Sequence, residues 1–124
     1  MNKKHILILL GTLAIIGACS KSGGSSGGGS GGGGGSTNCS GVTNNKFTAD
    51  VSPIISSSCA TNAGCHATGS TNGPGPLTNY TQIFNARAQI RTAVANGTMP
   101  QNGTLTASQK NSIICWIDSG APQN

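Results

Sequence analysis

"SSSCATNAGCHATG", residues 56–69, is the stretch on which the reading of this chain turns. Its second cysteine is followed at once by a histidine. Cys-x-x-Cys-His is the pattern by which a chain holds a c-type haem covalently. Here Cys59 and Cys65 are separated by five residues instead of two. Three chemistries compete for such a stretch: a widened haem-attachment site, a small loop closed by a Cys59–Cys65 disulfide, or a site for a bare metal ion.

The surrounding chain narrows the choice. Residues 1–18 read as an export signal, with Lys3 and Lys4 followed by an almost purely apolar run from Ile6 to Ile16. That run is too short for a bilayer span and suits a signal core. It ends in "IGAC", residues 16–19, which resembles a lipoprotein box; cleavage there would leave Cys19 as a lipidated N-terminus. Next comes "SKSGGSSGGGSGGGGGSTN", residues 20–38. Glycine and serine give it no preferred conformation and nothing to bury, so 19–38 is expected to be a flexible tether with ends roughly 25 Å apart on average. The expected placement is the cell envelope, lipid-anchored to a membrane, with the domain facing the periplasm or the cell surface.

Residues 39–124 are left to fold, one small domain. After processing, Lys21, Lys46, Arg87, Arg91 and Lys110 stand against Asp50 and Asp118, a net charge of +3. Charges so few and scattered make no nucleic-acid footprint. The apolar stock is thin, with Phe47, Tyr80, Phe84 and Trp116 the only aromatics. A domain of this size and core usually leans on disulfides, a metal or a cofactor.

Periodicity predicts three helices and no strand, an all-α fold. In "FTADVSPIISSSC", residues 47–59, Val51, Ile54 and Ile55 have helical spacing, Asp50 is the expected N-cap, and Pro53 would lie in the first turn, where its missing N–H does no harm. "TNYTQIFNARAQIRTAVANG", residues 78–97, brings Tyr80, Ile83, Phe84, Ile90 and Val94 near one face; Thr78 or Asn79 can cap its start and Gly97 its end. In "LTASQKNSIICWIDSGAP", residues 105–122, Thr106 and Gln109 form a capping-box pattern, Ile113, Ile114, Trp116 and Ile117 make an apolar face, and Gly120 and Pro122 end the helix. The stretches 67–79 and 96–106, rich in Gly, Pro and Asn, read as loops.

The processed chain has one histidine, His66, and one methionine, Met99, the latter in a loop, "NGTMPQ", where a core residue is out of place. Five pieces, "DVSPIISSSC", "GCH", "GPGPLTNY", "GTMP" and "LTASQKNSIICWIDSGAP", span most of residues 47–122. In them the domain resembles a small class I, single-haem cytochrome c of the lipoprotein-anchored kind found in Bacteroidetes-like bacteria. The resemblance implies about three helices wrapped around one covalently bound haem c per chain. It makes Cys59 and Cys65 the thioether anchors, His66 and Met99 the axial iron ligands, and the carbonyl of Pro76 or Pro74 the group that orients His66. It also implies that Cys39, at the entry to the first helix, and Cys115, in the last, lie close enough for a disulfide; the other reading of Cys115 is a buried free thiol between Ile114 and Trp116.

The function so implied is one-electron transfer between a donor and an acceptor protein by a monomeric domain. It is a carrier and not a catalyst, since both axial positions are taken by the chain. Arg87 and Arg91, one turn apart, belong either to a solvated face or to the haem propionates. The wide gap sets the sequence apart from the usual motif: "ATNAG", residues 60–64, must bulge outward, with Gly64 supplying unusual backbone angles before Cys65, or else Cys65 alone is attached. The alternative is a haemless binding module stapled by Cys59–Cys65. A zinc or iron–sulfur site has one imidazole and two thiols and lacks a fourth ligand. A hydrolase has little to work with, since no second histidine is present and both carboxylates fall at helix ends.

Overall fold

Three helices form as the periodicity predicts, and the differences lie in their ends. The computed structural model describes residues 37–124. The export signal (1–18), Cys19 and the tether as far as residue 36 lie outside the described residues. Within them α1 is Ser52–Ser58, α2 is Tyr80–Asn96 and α3 is Ala107–Asp118, and there is no strand. None of these helices is long and apolar enough to cross a membrane.

The entry to α1 differs from expectation. A wide, π-type turn, Phe47–Val51, runs directly into the helix. Asp50 therefore sits inside the turn and not ahead of it; its carboxylate reaches back to accept the Lys46 N–H at 2.9 Å. Pro53 explains the widening. In a helix the proline ring presses on the carbonyl four residues back and cannot donate to it. Here Lys46 O accepts both the Asp50 N–H, at 3.0 Å, and the Val51 N–H, at 3.1 Å, and the Ser52 N–H reaches Phe47 O, so the last two donors before the proline skip a residue and the backbone opens where that clash would fall. The turn's Phe47 and Val51 are buried, as is Ile55 of α1.

Helices α2 and α3 follow local rules closely. Asn79, and not Thr78, caps α2, its side chain accepting the Gln82 N–H at 3.0 Å. Gly97 ends it at φ +69°, a left-handed conformation that glycine adopts without strain. The Thr106–Gln109 capping box closes α3 with both of its bonds, Gln109 N–H to Thr106 Oγ1 at 3.2 Å and Thr106 N–H to Gln109 Oε1 at 2.9 Å.

Ile83, Ala86, Ile90 and Val94 of α2 pack with Ile113, Ile114 and Trp116 of α3. Phe47 stacks between Tyr80 and Trp116, with ring centroids 5.0 and 5.4 Å away. The polar ends of these rings are satisfied by the C-terminal segment: Trp116 Nε1–H donates to Pro122 O at 2.8 Å and Tyr80 O–H to Ala121 O at 3.0 Å. Asn124 binds back to the backbone N–H groups of Phe47 and Thr48. The first turn, α3 and the C-terminus thus share one aromatic knot.

A disulfide joins Cys39 to Cys115, the cysteines standing 76 positions apart in sequence and 5.4 Å apart at Cα. Cys115 is therefore bonded, and the free-thiol reading of it does not hold. Beside it, Asn44 donates to Ser108 Oγ at 3.1 Å and to the buried Ser112 Oγ at 2.7 Å, so the strap leading from Cys39 into the first turn is fastened along α3.

Candidate functional site

The long connection from α1 to α2 and the shorter one from α2 to α3 face each other across a cleft of about 470 Å³. This lies within the roughly 300–1,000 Å³ range of small-molecule and cofactor sites. Its apolar walls are Ile55 of α1, Leu77 at the end of the first connection, and Ile90, Ala93 and Val94 of α2. Cys59, Cys65 and His66 line one side, and Met99 and Pro100 of the second connection line it as well. The four residues that the sequence singles out as anchors and ligands, 40 positions apart at the extremes, thus border a single cavity.

His66 is buried yet reaches the cleft. Its Nδ1 lies 3.0 Å from the carbonyl oxygen of Gly75. A carbonyl can only accept, so Nδ1 carries a proton; in the neutral ring the lone pair is then on Nε2, the tautomer by which histidines bind metal. The partner is neither Pro74 nor Pro76 but the glycine between them. The backbone explains the choice. Leu77 N–H donates to His66 O at 2.8 Å, fixing the returning chain beside the histidine, and Gly75 turns at φ +91°, a conformation that excludes other residues. The proline on either side stiffens the turn; the carbonyl that faces the ring is Gly75's. The Gly-Pro-Gly-Pro run signals a shaped turn in the sequence, but no local rule says which of its carbonyls points inward.

Cys59 and Cys65 are both free thiols, so the Cys59–Cys65 disulfide of the haemless reading is not formed. Burial pushes the Cys59 thiol up from its ordinary range, and the charge of Cys65 nearby pushes it the same way. Among the described residues no group of three or more His, Cys, Asp or Glu side chains comes together to hold an ion.

The loop between the cysteines differs in one respect from the sequence reading. Gly64 does not adopt a left-handed backbone. A Cβ at this position would lie 3.0 Å from Asn62 Oδ1, so the absence of a side chain admits the Asn62 amide and leaves the backbone angles ordinary.

Arg87 and Arg91 do not line the cleft. Arg87 lies 4.0 Å over the Phe84 ring and donates to Phe84 O at 2.7 Å. Arg91 forms a two-pronged ion pair with Asp118 of α3, at 2.6 and 2.9 Å. Both guanidinium groups are thus engaged away from the cleft, Arg87 on its own helix and Arg91 on α3. The ion pair was not legible in the sequence, since its partners lie 27 positions apart on different helices. Among the described residues no Asp, Glu, Lys or Arg side chain lines the cleft. No family model, curated protein or solved structure matches the chain.

Proposed function

We propose that this domain is a one-electron carrier that holds a single c-type haem in the cleft between its two long connections. The observation that carries the reading is the convergence of Cys59, Cys65, His66 and Met99 on one cavity, with the His66 Nδ1 proton committed to Gly75 O. The residues fit the group on chemical grounds. Two thiols serve as covalent anchors, an imidazole with a free Nε2 and a neutral thioether serve as axial donors, and Ile55, Leu77, Ile90 and Val94 offer the apolar walls that a flat macrocycle needs.

When bound, the haem supplies an iron that cycles between ferric and ferrous states. The chain's own residues do the rest. The Gly75 carbonyl fixes the ring orientation and tautomer of His66 and makes it a stronger donor. Met99, a soft thioether, favours the ferrous state and raises the potential. His66 and Met99 would hold the iron of a bound haem between them, which would favour exchange of electrons with partner proteins over chemistry on small ligands. Ile55, Leu77, Ile90 and Val94 would give a bound haem apolar surroundings.

The lipid anchor at Cys19 and the Gly/Ser tether belong to the same proposal. Tethering raises the effective concentration of the domain near membrane-bound donors and acceptors. Replacing Cys19 with serine should move the chain from the membrane to the soluble fraction with the domain still folded; continued membrane attachment would remove the anchor from the account. For the cofactor, Cys65→Ser and His66→Ala should each abolish normal haem loading in the exported protein. A native absorption spectrum in both variants would overturn the site assignment.

A further inference from the structure

The five residues between Cys59 and Cys65 form a closed loop of their own. Cys59 ends α1, its N–H and that of Ala60 both reaching Ile55 O, at 2.8 and 2.9 Å. Across the loop, His66 N–H donates to the Cys59 carbonyl at 3.0 Å. That bond brings the end of the motif back beside its beginning. Between the two, one residue organises the backbone. The Asn62 carbonyl accepts the N–H groups of Cys65 and Ala67, both at 3.0 Å, and the Asn62 side-chain oxygen also accepts from Cys65 N–H, at 3.1 Å. The side chain of Asn72 donates to Gly64 O at 2.6 Å, and the Ser70 hydroxyl donates to Cys65 O. Residues 61–64 are exposed, while Cys59 and Cys65 are half-buried and line the cleft. The missing side chain at Gly64 leaves room for the Asn62 amide.

We infer that Asn62 is a positioning residue for cofactor attachment: it closes the loop between the cysteines by accepting the Cys65 N–H through both its carbonyl and its side-chain oxygen, so that Cys59 and Cys65 line one cleft, with Thr61 and Gly64 beside them, and both become bonded. This deepens the reading given under Proposed function and rests on it for the identity of the cofactor. Attachment is an addition at each cysteine. The sulfur bonds one carbon of a vinyl group, the thiol hydrogen goes to the other, and no external oxidant or reductant is consumed. A gap of five is then folded back on itself, since the His66 N–H bond to the Cys59 carbonyl brings the two ends of the loop together. The contrary arrangement, attachment through Cys65 alone, would leave Cys59 a free thiol in the finished protein.

Two measurements on the full-length chain separate this inference from the reading beneath it. In the first, the exported, matured protein is denatured with its Cys39–Cys115 bond intact, treated with iodoacetamide and weighed. The inference expects no alkylated cysteine at 59 or 65 in the natural sequence, one alkylated cysteine in Asn62→Ala, and restoration in Asn62→Asp, which keeps a side-chain acceptor. Thermal stability is recorded alongside, since a merely structural role would lower it without changing the number of bonds. An alkylated Cys59 in the natural sequence overturns the inference and leaves the haem reading standing. Two bonds in Asn62→Ala overturns the role of Asn62. In the second, the cofactor-free chain is treated with phenylarsine oxide, which needs two thiols at one arsenic. The inference expects one arsenic bridging Cys59 and Cys65, with bridging slowed in Asn62→Ala. Bridging in a chain that never acquires haem would sink the haem reading and keep the shared placement of the thiols; failure to bridge while the chain retains its helices by circular dichroism would overturn that placement. If the cofactor-free chain does not fold, the alkylation count decides the matter.

Discussion

A buried histidine with its Nδ1 proton given to a backbone carbonyl has one nitrogen left to use, and in this chain that nitrogen belongs to a side chain lining a cleft shared with two thiols and a thioether. His66 and Met99 were legible in the sequence because each is the one residue of its type in residues 37–124, and Cys59 and Cys65 because they lead into His66 in a Cys…Cys-His pattern. What was not legible was the partner of His66. The choice among three successive carbonyls depends on how the loop returns past the ring, and that is fixed by the Leu77–His66 backbone bond, a contact eleven positions long. Asp50 was misread for a related reason. A capping rule places an acidic residue ahead of the helix, but Pro53 pulls a widened turn in front of α1 and carries Asp50 inside it. Met99 provides the test at this scale. Replacing it with alanine should leave the haem covalently attached, lower its potential and open the iron to small ligands such as carbon monoxide, because a soft donor that favours the ferrous state is gone. Redox titration and ligand-binding spectra read the outcome; an unchanged potential would assign the sixth position to another group.

The helices themselves were legible wherever their signals were local. Thr106 and Gln109 stand three residues apart and cap α3 as the pattern says, and Gly97 closes α2 in the left-handed conformation that its position requires. Pairings between helices carry no such signal. Arg91 and Asp118, the bridge from α2 to α3, are each unremarkable on their own helix face. The hydrogen bonds from Arg91 hold the Asp118 carboxyl below its ordinary range. A carboxyl whose folded-state pKa is depressed adds stability that is full above its unfolded value, about 4, and is lost as pH falls through the folded one. Both side chains are well over a third exposed or close to it, 40% and 35%, so the effect is modest. It is nevertheless readable, because the chain has only two carboxylate side chains. Thermal midpoints of Asp118→Asn should fall less between pH 5 and pH 2 than those of the natural sequence. Parallel curves for the two proteins would show that the pair adds nothing to stability.

At the scale of the whole molecule the question is how so small an apolar stock holds a fold open around a cavity. Part of the answer is the aromatic knot of Phe47, Tyr80 and Trp116, tied off by the C-terminal carbonyls. Another part is the Cys39–Cys115 bond, which the resemblance implied and which no spacing rule could have paired. Closing a loop of that length restricts the unfolded chain by about 4.5 kcal/mol in the chain-entropy model, a large fraction of the roughly 5–15 kcal/mol that a domain commands. Cys39→Ala, which leaves Cys115 to pack as a small apolar side chain, should lower the unfolding free energy by about 2–5 kcal/mol in urea titrations. An unmoved midpoint would mean that the strap is held by Asn44 and its serines alone. The proposed haem would add to this by filling the cleft that Ile55, Leu77, Ile90, Ala93 and Val94 line with apolar groups. The most direct test of that claim is to denature the exported, matured protein in acid acetone or guanidinium and ask whether haem colour stays with the polypeptide. The account predicts that the Soret absorbance co-migrates with the denatured chain and that the mass of the chain is raised by one haem. A colourless chain at its unmodified mass, with Cys59 and Cys65 both free to react or joined to each other, would contradict it.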